Sequence, residues 1–168
     1  MFRIRNIKIS LKVKPIVLNN AIIQLQKKGI DTKTYSNFLT FKLHLYTYVV
    51  FKKGRTKHTH INITQIPSLK LINNAIEIVK QCLECKVLYF TIDNIIATSD
   101  LKKPICLIDI INKKSFDKIK YNNEIFPGLF IKFHNGTVIL FHSGKIVIVG
   151  CKNKETIQWI LETIHANI

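Results

Sequence analysis

The chain has 168 residues, with 26 Lys and Arg against 10 Asp and Glu and a formal net charge of +16 at pH 7. Its 47% hydrophobic content is enough for one compact domain or two small fused halves, and excludes a disordered basic tail. No uninterrupted apolar run approaches the ~20 residues of a membrane span, and four cysteines at 82, 85, 106 and 151 form no dense disulfide framework, which suits a reducing compartment. The charge favours a polyanionic partner through phosphate neutralisation, although a chain this rich in Lys, Ile and Asn owes part of it to solvated surface.

In chain order, Ile4 to Val13 alternates apolar and polar residues and predicts a half-buried strand, not a signal peptide. Pro15 predicts the first turn of a helix reaching about Lys28, with Gly29 as its stop. Residues 37–44, 46–52 and 56–63 read as three strands, the last two turned by Lys53-Gly54, and Pro67 opens a second helix with an apolar face along Leu71, Ile72, Ala75, Ile76, Val79 and Leu83. The order then repeats. Val87 to Thr98 is strand-like, Pro104 to Ile111 predicts a short helix, and 128–134, 137–142 and 145–150 predict strands, with Asn135-Gly136 as a hairpin signal. Asn153 caps a last helix running to about His165.

Fixed offsets carry the repeat: Asn6 and Asn94 stand 88 residues apart, as do Phe38 and Phe126, while Phe51 and Phe141, like Gly54 and Gly144, stand 90 apart. A period held by four marks indicates a duplicated unit, here 1–86 and 87–168, with no low-complexity linker between them. Each unit places an asparagine and two phenylalanines on the strand surface left open by helices on the other face. Clustered exposed Phe marks an interaction site. Phe inserted between base steps costs a few kcal/mol of unstacking and is offset by contact with a bent minor groove, whose A·T pairs present only acceptors to an Asn amide.

Ile92-Asp-Asn94-Ile-Ile96, Asp100-Leu-Lys102-Lys-Pro104-Ile105, Tyr121-Asn-Asn-Glu124-Ile-Phe126-Pro127-Gly128-Leu129, Phe141-His-Ser143-Gly144-Lys145 and Val149-Gly150 together resemble the conserved core of the TATA-box-binding protein family. The first half matches more loosely, through Ile4-Arg-Asn6-Ile7, Phe38, Phe51, Arg55 and Thr59. The resemblance implies an α+β fold in which two pseudo-symmetric repeats form one curved antiparallel sheet, a saddle, with helices on its convex face. It implies DNA contacts by Asn6 and Asn94 to central bases, by Phe126 with Phe141 and Phe38 with Phe51 as intercalating pairs, by Lys132, Lys145 and Arg55 to phosphates, and by Thr59 and Val149 to the groove. It also implies Glu124 as a contact for a factor-IIB-like protein, with RNA polymerase machinery beyond it.

The implied protein is a non-enzymatic promoter-binding initiation factor, a monomer on A·T-rich double-stranded DNA, acting in the nucleus or at a viral transcription site. A divergent member without an N-terminal extension, cellular or viral, is the form expected. The alternative is an adaptor or decoy that keeps the fold and binds transcription proteins without TATA-specific DNA binding. Lys8 motivates it by replacing a small apolar groove contact, as does Val149, which stands where the family has a second threonine. His60 follows Thr59 where the family has glycine. Cys82 and Cys85 fall at a helix end with no second CxxC, and His58 and His60 sit on a presumed strand near the groove face, so no metal or other cofactor is expected, and no catalytic constellation is present in the sequence.

Overall fold

A computed structural model describes residues 1–52, 54, 57–113 and 116–168. Its elements are β1 (Arg3–Val13), α1 (Leu18–Lys27), β2 (Thr32–Thr34), β3 (Phe38–Leu43), β4 (Tyr46–Phe51), β5 (Thr59–Ile66), α2 (Ile72–Leu83, entered through a 3-10 turn at Leu69–Leu71), β6 (Val87–Asp100), α3 (Leu107–Asn112), β7 (Ile119–Asn122), β8 (Phe126–Phe133), β9 (Gly136–Phe141), β10 (Lys145–Cys151) and α4 (Lys154–Ala166). The chain divides into two compact units, Asn6–Asp93 and Met1–Arg5 with Asn94–Ile168. Both β1 and β6 cross that division, so each contributes a segment to each unit.

In the first unit the strands are ordered β2-β3-β4-β5-β1-β6, and in the second β1-β6-β10-β9-β8-β7. The pairs β2–β3, β3–β4, β4–β5, β1–β5, β6–β10, β9–β10, β8–β9 and β7–β8 are antiparallel. Alternation follows from the pleat. Ile7, Ile9, Leu11, Leu39, Val50, Ile61 and Ile63 are buried in the first unit, and Ile95, Ala97, Leu129, Ile131, Val138, Leu140, Ile146 and Ile148 in the second. Helix α2 packs on α1 and β5 and buries Ala75, Ile76 and Val79, while α4 packs on β10 and buries Ile157, Ile160 and Ile164. Tyr48 stacks on Phe41 with ring centroids 4.6 Å apart and donates its hydroxyl to the Ala75 carbonyl at 3.2 Å; burial holds its phenol pKa above the ordinary range.

Two short strands, β2 and β7, carry no apolar alternation long enough to read in sequence, and both sit at sheet edges. Helices begin later than their prolines suggest: α1 starts at Leu18, and α2 follows the turn after Pro67. The β8–β9 hairpin turns at His134-Asn135, because Gly136 is already paired with Phe133. Asn153 accepts from the Thr156 N–H at 2.8 Å, the cap that its sequence position predicts.

Each unit contains one matching bulge. Between the pairs Ile7–Ile66 and Ile9–Ile63, β5 carries one residue more than β1; between Ile148–Ala97 and Cys151–Ile95, β10 carries one more than β6. The bulged backbone is left-handed at Gln65 (φ 66°) and Gly150 (φ 86°). A Cβ at Gly150 would meet nothing closer than 3.6 Å, so the glycine serves backbone conformation and not space. Gly150→Ala should therefore cost about 1–2 kcal/mol in a denaturant melt, and Gly150→Asn clearly less, since Asn tolerates the left-handed region.

Candidate nucleic-acid interface

The two bulges are held by the two asparagines singled out in sequence. Asn6 Oδ1 accepts from the Gln65 N–H at 2.8 Å, and Asn94 Oδ1 accepts from the Gly150 N–H at 2.7 Å. A backbone N–H can bond only the oxygen end of the amide, so both side chains are oriented with Nδ2 as the donor left for a partner. The extra residue of a bulge has lost its ladder partner, and each asparagine replaces it.

This geometry moves one first-half assignment. Thr59 is fully buried opposite Val13, and its hydroxyl accepts from the Ile16 N–H at 2.9 Å, so it does not face a groove. The bulge identifies Thr64 as the counterpart of Val149: each precedes the left-handed residue, and each pairs with a β4 or β9 threonine, Thr64 with Thr47 and Val149 with Thr137. Gln65, and not His60, occupies the glycine position. Thr64 follows Phe51 by 13 residues where Val149 follows Phe141 by 8, and this longer first-half connection hides the match in sequence.

The aromatic pairs differ between units. Phe126, 37% exposed, lies 5.9 Å from Phe141 and 5.3 Å from Phe130 between ring centroids. It reaches Phe141 across Gly128, which is the direct partner of Phe141 in the ladder. A Cβ at Gly128 would lie 2.6 Å from the Phe126 ring and 2.7 Å from Ile139. In the first unit Phe38 pairs directly with Phe51, 6.0 Å between centroids, and so holds the register position of Gly128, not of Phe126. Tyr35 stacks on Phe38 at 4.5 Å. Phe38 and Phe51 are half-buried and alternate with buried Leu39 and Val50.

The basic residues distribute unevenly. Lys132 is exposed opposite Thr137, Lys145 is exposed opposite Asp100, and Arg55 lies outside the described residues. Sequence reading missed a cleft of about 730 Å³ in the second unit, where Arg3, Arg5, Lys102 and Lys145 gather beside Phe141. Arg5 Nε donates to Thr98 Oγ1 at 2.9 Å. The repeat mates of these two residues, 88 positions away, are Asp93 and Ser10, and Ser10 Oγ donates to Asp93 Oδ2 at 2.5 Å. Asp93 also meets Lys8 Nζ at 3.4 Å. The same contact is thus built twice with opposite charge. Its signal was present in the 88-residue offset, but an aspartate next to Asn94 does not stand out without the fold.

Glu124 is exposed in the turn between β7 and β8, where its N–H donates to Asn122 Oδ1 at 3.1 Å and neighbouring Ile125 is 83% exposed. Among the described residues no group of three or more His, Cys, Asp or Glu is placed to hold a metal ion.

The architecture is the α+β fold of proteins built from two repeats of strand, helix, strands and helix. The solved structure of Methanococcus jannaschii TBP superposes with a TM-score of 0.79 at 25% identity, covering 98% of this chain and 98% of that one. A family model described as "Transcription factor TFIID (or TATA-binding protein, TBP)" matches residues 89–168. The TATA-box-binding protein of Dictyostelium discoideum is 32% identical over 121 residues, which is 71% of this chain and 58% of that protein; that of Tetrahymena thermophila is 37% identical over 78 residues, 45% and 31% respectively. This chain is a divergent core domain of the TATA-box-binding protein family. It spans 58% and 31% of the lengths of those two relatives.

Gly128→Val should displace the Phe126 ring, lowering stability by roughly 1–3 kcal/mol and abolishing the nuclear Overhauser contact between the Phe126 and Phe141 rings.

Proposed function

We propose that this chain is a non-enzymatic transcription initiation factor that binds the minor groove of A·T-rich promoter DNA and bends it by phenylalanine insertion. The observation that carries the reading is the duplicated asparagine geometry. Two amides whose oxygens are committed to backbone N–H groups present donors, and the A·T minor groove presents only acceptors, adenine N3 and thymine O2. Guanine would add an amino group where these amides need space.

Phe126 and Phe141 form the wedge in the second unit, with Phe126 exposed enough to enter a base step and Phe141 supporting it. The cost is a few kcal/mol of unstacking per step, the figure known for wedging proteins of this type, and it is offset by contact with the bent duplex. Phe38 and Phe51 act as the second pair, Thr64 and Val149 contact the groove, and Lys132, Lys145 and Arg55 contact phosphates. With 26 Lys and Arg against 10 Asp and Glu, most cations have no acidic partner and remain available for phosphate. Glu124 with exposed Ile125 forms the contact for a factor-IIB-like protein, and the chain acts in the nucleus or at a viral transcription site.

Bending is measured by fluorescence transfer between the labelled ends of matched TATA-like and G·C-rich duplexes at near-physiological salt. We expect the wild type to bend the A·T duplex selectively and Phe126→Ala/Phe141→Ala to lose the bend. Retained bending in the double variant would remove these residues from the wedge; binding without bending or sequence preference would favour a protein-binding adaptor. Lys145→Ala should lower the slope of log affinity against log salt by about 1, uniformly across sequences.

A further inference from the structure

We propose that Asp93 reads a base: its carboxylate, set beside Lys8 and Ser10 on the open side of the first unit, accepts from the 2-amino group of guanine, so the preferred site holds one G·C pair within A·T-rich DNA. The inference rests on the minor-groove reading above and adds a specificity that this reading alone does not supply.

Asp93 Oδ2 receives Ser10 Oγ at 2.5 Å and faces Lys8 Nζ at 3.4 Å, while Oδ1 receives Thr91 Oγ1 at 3.3 Å. Ser10 also touches Asn62 Oδ1 at 2.9 Å, but one hydroxyl hydrogen serves one acceptor, and the shorter charge-assisted contact takes it. Lys8 and Ser10 alternate along β1 with buried Ile7, Ile9 and Leu11, and Asn62 lies between buried Ile61 and Ile63, so the cluster stands on the side away from the core. The Asp93 and Lys8 side chains keep 29% and 40% of their surface exposed.

An ionised carboxylate has about four lone-pair sites and no donor. Three contacts address it here, two of them long, so capacity for another donor remains. The floor of the minor groove at A·T pairs offers acceptors only, and a carboxylate there finds like polarity. Guanine N2 is the single donor that the groove edge of any base pair presents. Lys8 neutralises the charge locally, which lets an acid approach a polyanion without standing as a free anion. The contrast with the repeat mate is direct: Arg5 is a donor with no acceptor, Asp93 an acceptor with no donor, each hydrogen-bonded to the corresponding hydroxyl.

The test uses the full chain and competition anisotropy on an A·T-rich duplex in which each pair in turn becomes G·C or inosine·C. Inosine lacks only the 2-amino group, so the difference isolates it. Bending of the all-A·T parent is measured first. We expect one position at which G·C binds roughly ten-fold tighter than inosine·C. Asp93→Ala should erase that difference, Asp93→Asn, which keeps one acceptor oxygen and adds a donor, should shrink it and tighten binding to the all-A·T parent, and Ser10→Ala should shrink it by loosening the carboxylate. Bending of the parent with G·C nowhere better than inosine·C would overturn the inference and leave the minor-groove reading standing. A difference that persists in Asp93→Asn and Asp93→Ala would reduce Asp93 to a structural partner of Lys8. Absence of bending on every duplex would overturn both readings together.

Discussion

The bond from an asparagine oxygen to the N–H of a bulged strand is the constraint on which the open side of each unit depends. A bulge leaves a backbone donor without its ladder partner, and leaving it unsatisfied costs free energy comparable to a lost hydrogen bond. Asn6 and Asn94 supply the missing acceptor in their own units. Three consequences follow from that one contact. The bulge is stabilised, the amide rotates to a single orientation, and the threonine or valine preceding the left-handed residue is set on the open side next to it. A structural requirement of the backbone thereby fixes which end of each amide is left as a donor on the open side.

Around this shared constraint the two units have diverged. The second unit is the one that the family model covers, and its Phe126–Phe141 contact exists because Gly128 leaves a gap for the ring to cross. The turn after Phe141 is anchored by paired bonds, Ile105 N–H to the His142 carbonyl at 2.9 Å and Leu101 N–H to the Gly144 carbonyl at 3.0 Å. The first unit reaches a similar aromatic contact by a different route, filling the glycine register with Phe38 itself and backing it with Tyr35. Equivalent surfaces are thus built from residues that are not equivalent in register.

Charge shows the same pattern. A chain with a net charge of +16 gains little from any single lysine, so the informative residue is the acid that breaks the trend. Asp93 is held by Ser10, Lys8 and Thr91 on the side of the sheet away from the core, at the position where the other repeat has Arg5. Surface ion pairs contribute little stability, commonly about 0–1 kcal/mol, so stability alone is a weak reason for an acid to stand there.

The repeat, the long strands β1 and β6, the apolar faces of α2 and α4, and the pairing of Phe126 with Phe141 were all legible in the sequence, because period-two and helical alternation and a Pro-Gly or Ser-Gly punctuation are local signals. So were Asn6 and Asn94, through their common offset. Register was not legible. Thr59 was exchanged for Thr64, and Phe38 was matched with Phe126 instead of Gly128, because a longer connection and a hairpin of different length shift the offset from 88 to 85 or 90 along the chain. The edge strands β2 and β7 were invisible for a related reason: three or four residues alternate too briefly to declare a face. Composition and pattern determined which residues could be buried; only hydrogen-bonded pairing across the strands decided which residue stands opposite which, and so what each half presents on its open side.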